Sequence, residues 1–125
     1  MGRPVPLRKP VLNGLVFGSD SVVNTVFRDK IYWFWGDTSR PKYPLGLFHM
    51  SGATSLLPKD GGLDPSVGID LTYFVNDEGF SRAMAPLKGE GIVWVEGITT
   101  LPDASPSGSS TSRSSAPSSC ACCGT

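Results

Sequence analysis

Three carboxylates in this chain stand at places where chemistry is done. Asp37 closes the run IYWFWGD within IYWFWGDTSR (31–40), Asp70 lies between Ile69 and Leu71, and Glu90 sits between two glycines. Paired carboxylates are the working parts of glycoside hydrolysis, where one donates a proton and the other activates water or attacks. That chemistry requires the two groups ~5–10 Å apart, a separation set by the fold. Each carboxylate also has an ordinary reading as a turn or solvated residue. For Asp37 and Thr38 that reading is a strand end, capped through local bonds from side chain to backbone. In the functional reading the strand end opens onto a pocket, with Asp37 and Arg40 pointing into it.

His49 is the sole histidine, and it opens a second polar cluster with Ser51, Thr54 and Ser55 in FHMSGATS (48–55), which reads as a glycine-containing loop. A lone histidine is more often a satisfied structural residue than a catalyst. No Gly-x-Ser-x-Gly turn accompanies it. Among the aromatics, most read as core, and Tyr43 and Phe48 are the best placed to be exposed beside a ligand. Arg40, Tyr43 and His49 therefore form the candidate binding set, and Asp37, Asp70 and Glu90 the candidate catalytic set. The chain has no phosphate-binding glycine loop and no metal-ligand spacing, so no cofactor or metal is expected.

The elements that must hold these residues read as strands. SVVNTVFR (21–28) is rich in β-branched residues, RDK marks a tight turn, and IYWFW (31–35) follows. Two β-prone runs joined by a short polar turn predict a hairpin. The second run is apolar at both parities, which predicts an interior strand. VLNGLVF (11–17), LGLFHM (45–50), IDLTYFV (69–75) and IVWVEGITTL (92–101) read as further strands, the last bulged at Gly97. NDEG (76–79) and KGEG (88–91) read as turns, residues 55–68 as a loop, and FSRAMAPL (80–87) is ambiguous. No 3.6-residue period is sustained, so the fold class is all-β.

Bulk properties agree. The chain has 125 residues with 15 Gly and 11 Pro, well above average usage and suited to many turns. The formal net charge is zero, from 11 basic and 11 acidic residues. No basic stripe is present, which speaks against nucleic acid as a partner. No stretch reaches the ~18 apolar residues of a membrane helix, so no membrane is expected. MGRPVPLRKPVLNG does not read as a signal peptide, and Pro6 replaces the Ser or Thr that would follow a myristoylated Gly2.

The composition changes near Asp103. Residues 1–103 form the patterned domain. Residues 104–125, ASPSGSSTSRSSAPSSCACCGT, are almost wholly small or polar. Such a tail cannot bury enough apolar surface to offset its ordering entropy and is expected to be disordered. A frameshift in GC-rich coding DNA and a natural Ser-rich linker both account for it. Cys120, Cys122 and Cys123 make one clump there without the second pair of a zinc site.

YWFWGDTSRPKYPLGLFHMSGATS, followed by GIDLTYFVNDEGFSRAMAPLKGEGIVWVEGI, resembles the N-terminal blades of five-bladed β-propeller proteins of the glycoside hydrolase-like type. These are similar to the propellers of arabinanases and β-xylosidases, and to uncharacterised propellers with Gly-Asp-Thr after an aromatic strand. The resemblance spans roughly residues 11–101 and rests on FWGDT, GFSRAMAP and GEGIVW. It implies a partial β-propeller of about two blades, with Asp37, Arg40, His49, Asp70 and Glu90 facing a central funnel. It implies carbohydrate as the partner and glycoside hydrolysis in a full-length parent, of a family often secreted. Glycosidase propellers spread three acidic residues over different blades, and the carboxylates here do not align clearly with that set. A full propeller needs about 300 residues at ~40–50 per blade, so the chain reads as a truncated product, inactive alone. The alternative is a propeller that binds a glycan without cleaving it.

Overall fold

The computed structural model describes residues 6–9, 12–41, 49–86, 88 and 93–101. It is all-β, with one antiparallel sheet curled into a half-barrel. The strands are β1 (Gly18–Ser19), β2 (Val22–Phe27), β3 (Lys30–Ser39), β4 (Met50–Leu56) and β5 (Thr72–Tyr73). Strand β3 is central. It pairs with β2 and then β1 on one side and with β4 on the other, and β4 pairs with β5. Two short 3-10 turns, Asn13–Leu15 and Pro58–Asp60, complete the described regular structure.

The β2–β3 hairpin forms as its sequence predicts, in register from Phe27 opposite Lys30 to Val22 opposite Trp35. Its turn residues are Arg28 and Asp29, with Arg28 at φ 56°. The β3–β4 pairing obeys a size rule. Trp33 lies opposite Ala53, Phe34 opposite Gly52 and Trp35 opposite Ser51. Each bulky ring faces a small residue, and a Cβ on Gly52 would lie 2.8 Å from Cγ of Met84. SGATS is therefore the middle of a strand and not the loop expected from its composition. Large neighbours select small residues here, against their weak intrinsic β-propensity.

Alternation gives the sheet two faces. One carries Ile31, Trp33, Trp35, Ala53 and Tyr73. The Trp33 and Trp35 rings stack at 6.4 Å, and Trp35 meets Tyr73 at 5.4 Å. The other carries Phe34, which is buried, and Gly52. Among the described residues the buried apolar set is small: Val16, Phe34, Met50, Ala53 and Phe80.

Several expected strands are shorter or absent. Of the strand expected at 11–17, the described residues 12–17 give a 3-10 turn around Gly14, with φ +66° there. Of 69–75 only Thr72 and Tyr73 are strand, and residues 93–97 have no regular secondary structure. The NDEG turn is present, closed by Gly79 N–H donating to the Asn76 carbonyl at 2.9 Å. The tail from residue 102 lies outside the described residues.

Candidate functional site

The strand that ends in GDTS does not stop at Trp35. It continues to Ser39 through a β-bulge at Gly36, where the register with β4 shifts from Trp35 opposite Ser51 to Asp37 opposite Met50. On the other side the chain breaks at Asp20 and Ser21, between β1 and β2, with Ser21 at φ 46°. Gly36 N–H donates to the Asp20 carbonyl at 2.9 Å, and Asp20 N–H to the Asp37 carbonyl at 3.0 Å. Gly36 makes a close approach there: a Cβ would stand 2.8 Å from Oδ1 of Asp20 and 3.3 Å from its carbonyl oxygen, so the Asp20 side chain would have to move aside.

The extra residue exchanges the faces of everything after it. Without the bulge Asp37 would join the face of Trp33 and Trp35. With it, Asp37 joins the Phe34 face, and Thr38 turns its hydroxyl the other way. Thr38 is fully buried, and its Oγ1 lies 2.7 Å from Ser51 Oγ, 3.0 Å from Ser19 Oγ and 3.2 Å from the Gly36 carbonyl. This replaces the expected turn cap. Thr38 is locked mainly across strands, and the Asp37 carboxylate caps nothing local.

Instead, Asp37 Oδ1 accepts a 2.9 Å bond from Nε1 of Trp94. The Asp37 N–H donates to Oδ1 of Asp20 at 3.2 Å, and the Ser21 hydroxyl donates to the same oxygen at 3.3 Å. Asp20, Asp37, Trp94 and Glu96 line one open cleft floored by Phe34 and Val23. Trp94 is 50 % exposed, and its indole N–H is held by Asp37. Asp20 and Glu96 escaped sequence reasoning because no local pattern marks them.

Arg40 and His49 come together in a second pocket, with Asn76, Phe80, Ser81 and Arg82. The Phe80 ring is its floor. The Arg40 guanidinium lies 5.2 Å from the Phe80 centroid, and the His49 ring packs edge-on against it at 4.9 Å. Nη1 of Arg40 bonds Glu78 at 3.2 Å, and Nε2 of His49 lies 3.1 Å from Ser81 Oγ. Burial lowers the His49 pKa. A hydrogen bond with the Ser81 backbone opposes that shift, and the Arg40 charge adds to it.

Asp70 is in neither place. It lines a third cleft, at the hairpin end of the sheet, and its Oδ1 accepts from the Lys9 backbone N–H at 3.2 Å. Asp37 and Asp70 therefore line separate clefts. Tyr43 and Glu90 lie outside the described residues. Among the described residues, no group of three or more His, Cys, Asp or Glu could hold a metal, and no helix is long and apolar enough to cross a membrane.

No protein-family model, curated protein or solved structure matches this chain.

Proposed function

We propose that the sheet is a blade of a carbohydrate-active β-propeller, and that the cleft lined by Asp37 and Trp94 holds one sugar unit of a glycan. A single observation carries this reading: a half-exposed indole fixed edge-on by a carboxylate, with further carboxylates beside it in one cleft. A sugar ring is apolar on its C–H faces and polar at its hydroxyl rim. The indole supplies an apolar platform whose N–H is already satisfied. The carboxylates supply acceptors for hydroxyl protons. The order of pairing, β1 and β2 beside β3, then β4, then β5, is a meander, a topology that propeller blades share with up-and-down barrels.

Glycoside hydrolysis is the second reading, for the complete propeller. Its favouring observation is that Asp20, Asp37 and Glu96 line the same cleft. Asp20 is engaged by the Asp37 N–H and the Ser21 hydroxyl, so Glu96 is the second carboxylate of the pair.

Calorimetric titration with a panel of pentose and hexose oligosaccharides, together with product analysis, tests both readings. Glycan binding predicts saturable heat with one panel member, lost in Trp94→Ala. Hydrolysis predicts, in addition, released sugar that disappears in Asp37→Asn and Glu96→Gln. Heat unchanged by Trp94→Ala refutes the site.

A further inference from the structure

The cleft at the hairpin end of the sheet has a volume of about 450 Å³, within the range of small-molecule sites. Its floor is Ile31 and Trp33 of β3, and its far wall is the loop after β4, with Leu63, Pro65 and Ile69. That wall is built in advance by its own turns. Asp60 N–H and Gly62 N–H both donate to the Leu57 carbonyl at 2.9 Å, Val67 N–H donates to the Asp64 carbonyl at 2.9 Å, and Ser66 N–H reaches Asp64 Oδ1 at 2.8 Å. Nε1 of Trp33 donates to Ser55 Oγ at 2.9 Å. The indole therefore needs nothing from a ligand except contact with its apolar face. Leu56 and Ile69 line the cleft and remain 40 % and 39 % exposed, so apolar surface is left open there.

The rim is charged, and cations outnumber anions on it. Arg8, Lys9 and Lys30 line it against the single carboxylate of Asp70. The Lys9 backbone N–H occupies Oδ1 of Asp70 at 3.2 Å. Among the described residues, none of these three cationic side chains makes an ion pair. An apolar slot under a basic rim selects a ligand with a flat or aliphatic body and an anionic head.

We propose that this cleft binds a small amphiphilic carboxylate, with its apolar body on Trp33 and Ile31 and its carboxylate at Lys30 and Arg8. The site is independent of the sugar cleft, with which it shares no lining residue.

The test uses 2-naphthoate and its neutral amide on the full chain, followed by the indole N–H resonances of the tryptophans. Naphthoate is expected to shift the Trp33 signal saturably and leave the Trp94 signal in place, while the amide binds more weakly. Lys30→Gln, at an exposed position, is expected to weaken naphthoate about two- to fivefold, as one surface charge pair does, and to leave the amide unchanged. Equal binding of acid and amide overturns the anionic head. An unmoved Trp33 signal, or a shift of Trp94 instead, overturns the site.

Discussion

Replacing Thr38 by Val keeps the shape of a fully buried side chain and removes one hydroxyl. That hydroxyl lies 2.7 Å from Ser51 Oγ, the shortest bond of the cluster behind the Gly36 bulge. A lost hydrogen bond costs about 1 kcal/mol. Ser51 is also fully buried, and Thr38 is its side-chain partner, so the variant strands the Ser51 hydroxyl, at a further cost of about 1–3 kcal/mol. Ser19 is exposed and turns to water. The expected total is about 2–4 kcal/mol, or roughly 10–20 °C in Tm for a domain near this size. Ser51→Ala leaves Thr38 its bonds to Ser19 and the Gly36 carbonyl, so it costs only about 1 kcal/mol. With both hydroxyls removed no group is stranded, and the double variant falls short of the sum by at least the stranding cost of about 1–3 kcal/mol. Urea unfolding of the four proteins measures this. Strict additivity, or a Thr38→Val variant as stable as the parent, refutes the locked bulge and with it the aim of Asp37.

Two further outcomes follow from the same geometry. Gly36→Ala drives its methyl into the Asp20 carboxylate, at an expected cost of about 1–3 kcal/mol; in an Asp20→Ala background the cost shrinks, and a cost that does not shrink contradicts the close approach. His49 has a lowered folded pKa, so below its ordinary value of 6.5 the unfolded chain takes up the proton first. Stability is therefore intact above that pH, is lost as pH falls toward the folded pKa, and changes no further from this group below it. Urea midpoints across that window should flatten in His49→Gln, and an identical slope in the variant rules out His49 as the source.

The β2–β3 hairpin was legible because β-branched residues, a polar turn and a run apolar at both parities are local signals. Strand β4 was not. SGATS has no strand signature, and it pairs only because Trp33, Phe34 and Trp35 need small partners. The length of β3 was hidden for a similar reason, since a bulge at Gly36 looks like a strand end until both neighbours are present. Asp37 was legible as chemistry, but its partners were not. Asp20 and Trp94 stand 17 and 57 residues away along the chain, where no spacing rule reaches. His49 and Arg40 were singled out by type, and the Phe80 ring that gathers them lies in the segment left ambiguous.

The most direct measurement is the Trp94 indole N–H resonance during titration with the oligosaccharide panel, in the parent and in Asp37→Asn. Glycan recognition at this cleft predicts a saturable shift with at least one oligosaccharide, weakened in the variant, while the Trp33 signal holds still. A Trp94 resonance unmoved by every member of the panel contradicts it.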